Sequence, residues 1–152
     1  ADPDGSSAEG DAPLYVAAQE GDEAMALALL QAGAEIDRAR DDGATALYVA
    51  AHEGHESVVG ALLRFGADPE RATAEDGGTP LIVAAQNGHG LVIASLVNGR
   101  VELDRPAGNG ATALAMASQN GHEEAARMLL ECGADRGRRR ADGATPMDLA
   151  VL

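Results

Sequence analysis

The chain is 152 residues long and carries a formal net charge of −14, with 25 acidic side chains against 11 basic ones, every one of them arginine. That balance argues against non-specific nucleic-acid binding and against docking on anionic membranes, and it favours basic partners. The lone cysteine, Cys132, excludes an intrachain disulfide, and no stretch approaches the ~20 apolar residues a membrane helix needs, so a cytoplasmic or nuclear setting is expected.

Residues 1–9 are rich in Gly, Ser and Asp and read as a flexible N-terminal tail whose first residues look like a cloning remnant. From residue 10 the chain repeats itself. GDAPLYVAAQEGDEAMALALLQAGAEID is followed by DGATALYVAAHEGHESVVGALLRFGAD, then DGGTPLIVAAQNGHGLVIASLVNG, NGATALAMASQNGHEEAARMLLECGAD and finally DGATPMDLAVL. The matching positions Leu14, Leu47, Leu81, Leu114 and Met147 are spaced 33, 34, 33 and 33 residues apart. A fixed period of that length marks stacked supersecondary units. The units span about 10–41, 42–75, 76–108 and 109–141, with a partial fifth over 142–152.

Each unit parses into two short helices. Thr45, Thr79, Thr112 and Thr145 stand where an N-cap hydroxyl is needed; Ala12 supplies none in the first unit. Pro13, Pro80 and Pro146 follow at the first helical position, where a missing N–H costs nothing. The first helix stops at Gly21, Gly54, Gly88 or Gly121, and the second runs to Gly33, Gly66 or Gly133. In the third unit Arg100 takes that last place and Gly99 lies one residue early, which predicts a less regular helix end. Leu47, Ala50 and Ala51 share a face of one helix, and Val58, Val59, Leu62 and Leu63 a face of the other. Such helices are too short to stand alone, so stability must come from stacking.

These residues closely resemble the ankyrin repeat, with its D-G-x-T-P-L-x-x-A-A-x-x-G-H pattern and a closing L-L-x-x-G-A-D, from Gly10 to the end of the chain. The resemblance implies an all-α solenoid of stacked helix–turn–helix units joined by β-turn fingers, with a concave face of fingers and first helices. Departures from the pattern are local. The family's His after T-P-L is replaced by Tyr15, Tyr48, Ile82, Ala115 and Asp148; Asp22 replaces the His of G-H; and one extra residue lies between Glu70 and Glu75.

The stretch HEGHE, His52 to Glu56, looks at first like a zinc motif. A helical zinc pair needs histidines at i and i+4, whereas His52 and His55 are three apart with Gly54 between them. His55 recurs as His89 and His122 and so reads as a structural residue at the inter-helix turn, hydrogen-bonded to backbone. His52 alternates with Gln19, Gln86 and Gln119 and reads as surface. Cys132 has no activating His or carboxylate in view and reads as a passive thiol. Without lysine there is no phosphate-cradling P-loop. No catalytic residue, metal or cofactor is expected.

The resemblance carries partner contacts to the finger tips and to the two residues before each mid-unit glycine. On this chain these are Asp11, Gln19, Glu20, Asp41, Asp42, His52, Glu53, Glu75, Asp76, Gln86, Asn87, Asn109, Gln119, Asn120 and Asp142, with Tyr48 as an aromatic anchor and Phe65 a second candidate. The set is acidic in the first half and amide-rich in the second, which points to a non-enzymatic protein-interaction module recruiting a basic segment. The competing readings are a structural spacer, or a recognition segment of a larger protein. A nucleic-acid grip by Arg136, Arg138, Arg139 and Arg140 ranks lower, because there are no stacking aromatics nearby and Arg138 merely repeats Arg38, Arg71 and Arg105. The apolar end at Val151 and Leu152 predicts weak self-association.

Overall fold

The computed structural model describes residues 12–74, 76–99 and 101–134. The tail, Asp11, Glu75, Arg100, the arginines from Arg136 to Arg140, Asp142 and the fifth-unit residues Thr145, Pro146, Met147, Asp148, Val151 and Leu152 lie outside the described residues.

A threonine hydroxyl starts each described first helix after the first unit. Thr45, Thr79 and Thr112 are buried, and their Oγ1 atoms accept the amides of Tyr48 (3.2 Å), Ile82 (3.3 Å) and Ala115 (3.2 Å). Ala12 makes no such bond, and Pro13 alone sets the start there. The result is α1 (Pro13–Glu20), α2 (Glu23–Gln31), α3 (Ala46–Glu53), α4 (Glu56–Arg64), α5 (Pro80–Gln86), α6 (Gly90–Asn98), α7 (Ala113–Gln119) and α8 (Glu123–Glu131). The chain is all-helical among the described residues, with no strand.

The odd-numbered helices pack side by side in one row, α1 on α3, α3 on α5 and α5 on α7, and the even-numbered ones form a second row behind them. Small side chains set that spacing. Ala17, Ala18, Ala50, Ala51, Ala84 and Ala85 are buried and let the first helices come close. Between the rows sit Leu62, Leu96 and Leu129, each without exposed surface, while Leu63, Val97 and Leu130 beside them are half-buried. Burying one such leucine contributes about 1.5–3 kcal/mol. Met25 occupies the place of Val58, Val92 and Ala125 but is 50% exposed, because no described helix pair precedes it.

The glycine stops behave as expected in the first, second and fourth units and differ in the third. Gly33, Gly66 and Gly133 have positive φ just beyond their helices. Gly99 is instead right-handed, at φ −80, and itself caps α6.

The histidines do more than fill a turn. His55, His89 and His122 each place Nε2 at 3.0 Å from a main-chain oxygen of the preceding unit: Gln19, His52 and Gln86 in turn. A carbonyl can only accept, so Nε2 carries the proton. The ring lies over that unit's glycine. A Cβ on Gly54 would come within 2.7 Å of the His89 ring, and one on Gly21 within 2.6 Å of His55. Gly54 is thus doubly required, by φ +80 and by the neighbouring ring.

Two stability predictions follow from this packing. Leu62→Ala costs about 2–5 kcal/mol in urea unfolding, through lost transfer energy and a residual cavity, whereas His52→Ala costs less than about 0.5 kcal/mol because its tie to the next unit uses backbone oxygen. Gly54→Ala costs at least about 1–2 kcal/mol from φ alone, and combining it with His89→Ala gives a loss smaller than the sum of the two, since the clash is removed once. Additive losses would show that ring and glycine are not in contact.

Candidate partner-binding face

The fingers are built from short hydrogen-bonded turns whose acidic or amide residue caps the turn from within. In the finger before α3, the Arg40 amide donates to Ala44 O (2.9 Å) and the Gly43 amide to Arg40 O (2.9 Å), while Asp42 Oδ1 accepts from the Ala44 amide (2.9 Å). The finger before α7 repeats this with Ala107, Ala111, Gly110 and Asn109, whose Oδ1 accepts from the Ala111 amide at 2.9 Å. The finger before α5 holds the extra residue. There the closing bond runs from the Thr73 amide to Gly78 O (3.0 Å), one residue wider, and Asp76 Oδ1 accepts both the Gly78 amide (3.0 Å) and the Thr73 hydroxyl.

Adjacent fingers are joined through backbone: the Ala74 amide donates to Asp42 O (2.8 Å) and the Gly108 amide to Asp76 O (2.6 Å). A second tie lies at the finger bases. Glu70 accepts the Glu102 amide (2.7 Å) and the Arg105 guanidinium (3.3 Å), whose Nη1 also reaches Glu70 O (3.0 Å). Arg105, at the place of Arg38 and Arg71, therefore serves the stack.

Between the fingers before α5 and α7 and the first helices lies a pocket of about 460 Å³. Tyr48, Asp76, Gln86 and Asn109 contribute its polar groups, and Ile82, Val83 and Met116 much of its apolar surface. Its electrostatics follow from the finger. The Thr73 hydroxyl and then the Gly78 amide hold the Asp76 carboxyl below its ordinary value, so it stays charged. Burial, followed by the charges of Asp76 and Asp42, pushes the Tyr48 phenol above its ordinary value, so it stays neutral.

The structure places the expected contact residues unevenly. Tyr48, Asp76, Gln86 and Asn109 meet at this pocket. Gln19, Glu20, Asp41, Asp42, His52, Glu53, Gln119 and Asn120 are exposed outside its lining. Asn87 and Asn120 are spent on the stack: their side-chain amides donate to His52 O (3.0 Å) and Gln86 O (2.9 Å), the same oxygens that His89 and His122 use. Glu53, at the equivalent place in the second unit, has no proton to donate that way and pairs instead with His52 Nδ1 at 3.0 Å. The HEGHE histidines thus engage different partners, His52 its neighbour Glu53 and His55 the first unit. Among the described residues no three metal-capable side chains converge. Phe65 is exposed and does not line the pocket. Sequence reasoning missed the apolar lining, Ile82, Val83 and Met116, since hydrophobic residues on a first helix carry no sign of facing a cleft.

A model of a known family, described as ankyrin repeats in three copies, matches residues 1–73 and again 66–140. The chain belongs to the ankyrin-repeat family. No curated protein matches it. Ankyrin repeats are in general protein–protein interaction modules and are typically not enzymes. No described helix is long and apolar enough to cross a membrane.

An NMR titration checks the electrostatics. Asp76 titrates below an ordinary aspartate, so its contribution to the finger is lost only as pH falls through that depressed value; Thr73→Val moves the midpoint up. Tyr48 titrates above 10.0, and Asp76→Asn brings it down. An unmoved Asp76 midpoint in Thr73→Val would remove the hydroxyl as its cause.

Proposed function

We propose that this ankyrin-repeat chain is a non-enzymatic adaptor, scaffold or regulator that binds a basic, extended segment of another protein along its concave face of fingers and first helices, in a cytoplasmic or nuclear setting. The observation that carries the reading is the pocket at which Tyr48, Asp76, Gln86 and Asn109, residues from three successive units, meet over an apolar lining. The exposed carboxylates of Glu20, Asp41, Asp42 and Glu53 extend the negative charge away from it. Such a surface speeds encounter with a cationic segment and fixes its register, while the apolar lining supplies short-range affinity. The four units belong to one domain of about 10–152, preceded by a tail.

One observation favours the spacer alternative. Asn87 and Asn120, two of the residues best placed for contact, hold units together instead. That spends part of the amide-rich half on rigidity.

Selection from a library of random displayed peptides separates the two. A binding module enriches peptides containing Arg or Lys, with affinity that falls as salt rises. The triple variant Glu20→Lys, Asp41→Lys, Glu53→Lys binds those peptides at least about tenfold more weakly, with an unchanged melt. These three side chains cap no finger turn, so folding is preserved. Enrichment of no peptide, or of sequences that ignore the triple variant, would sink the proposed face.

A further inference from the structure

The first two units carry a tyrosine at the same place, and among the described residues only the first of the two is covered by an arginine. Tyr15 is 7% exposed and lies under Arg40 from the next finger. The guanidinium carbon stands 4.9 Å from the ring centroid, and Nη1 donates to the phenol oxygen at 3.2 Å. This is a cation–π contact with a hydrogen bond at its edge.

Tyr48 repeats Tyr15 one unit later, but no arginine comes from its next finger. The residue whose amide closes that finger is Thr73, standing where Arg40 stands in the finger before. The Thr73 hydroxyl is turned onto Asp76. Tyr48 is left half-exposed and lines the pocket of about 460 Å³. The Thr73 hydroxyl and the Gly78 amide both donate to Asp76 Oδ1, and the side chain is exposed at the pocket's edge.

We infer that this pocket receives an arginine side chain of the bound protein segment, its guanidinium stacked on the Tyr48 ring and paired with the Asp76 carboxylate, as Arg40 is stacked on Tyr15. The inference rests on the reading of this face as a protein-binding surface and names what it recognises. Chemistry selects arginine over the other candidates. An apolar anchor would bury the Asp76 charge unpaired. An anion would be repelled by it. A lysine offers a compact charge, without a plane to stack or a fork to match a carboxylate. The arginine stem has apolar surface to lie on at Ile82, Val83 and Met116, and Gln86 and Asn109 bring amide oxygens within the same lining.

The test uses the whole chain, isotope-labelled for NMR, titrated with Nα-acetyl-arginine amide and with its lysine and citrulline counterparts. Citrulline keeps the shape and removes the charge. The arginine compound is expected to shift Tyr48 ring and Asp76 signals saturably, and citrulline to bind at least about tenfold more weakly, with lysine between them. Asp76→Asn and Tyr48→Leu each weaken arginine binding by about tenfold. Asp76→Asn keeps the finger, since Asn109 caps the equivalent turn through the same atom, and a melt checks Tyr48→Leu. Equal binding of arginine and citrulline overturns the inference. So do shifts confined to Glu20, Asp41 and Glu53 with Tyr48 and Asp76 unmoved, an outcome that leaves the basic-segment reading of the face standing. If selected peptides also fail to bind, both fall together.

Discussion

A single hydrogen bond, repeated at each of the three described junctions, holds the stack in register: a histidine Nε2–H reaching back 3.0 Å to a main-chain oxygen in the unit before. Its geometry dictates the glycine beneath the ring, because any Cβ there would meet the imidazole at under 3 Å. In the second and third described junctions an asparagine takes the same oxygen. No unit can bury its apolar surface alone, so a bond that sets the distance and rotation between units decides whether Leu62, Leu96 and Leu129 are sealed. The cooperative element of this fold is the junction.

A second set of ties lies on the finger side and shapes the surface there. Backbone bonds join finger to finger, and each turn is capped by the carboxylate or amide of its own tip. Asp42, Asp76 and Asn109 therefore serve two ends: one oxygen holds a turn while the side chain still faces solvent. In the finger before α5 the added residue widens the turn and turns Thr73 inward onto Asp76. The charge is thereby held firmly ionised beside an aromatic ring and an apolar lining. A one-residue change in a loop has altered both the shape and the electrostatics of the face, without disturbing the helices on either side.

The same economy explains why the acidic surface is tolerated. Among the described residues most carboxylates are exposed, on helices and fingers alike, and several of them accept backbone amides or Arg105. Exposed pairs such as His52 with Glu53 add little to stability. Cohesion is carried by small alanines, leucines and inter-unit hydrogen bonds rather than by the exposed charges.

By itself the sequence determined the repeat. A 33- or 34-residue period, Thr N-caps, Pro at helix starts and Gly at helix stops are local signals, and local signals suffice because each unit is built from contacts close along the chain. The zinc-like HEGHE dissolved at the same level, from spacing alone. Only the tertiary structure decided which of the surface residues are tied into the stack. Asn87 and Asn120 look identical to a contact residue in sequence, yet they bridge units more than thirty positions apart. Tyr15 and Tyr48 occupy the same place in the repeat, yet one is covered by Arg40 and the other borders a pocket. Those differences are set by the neighbouring unit's side chains, across distances in sequence that no local pattern encodes.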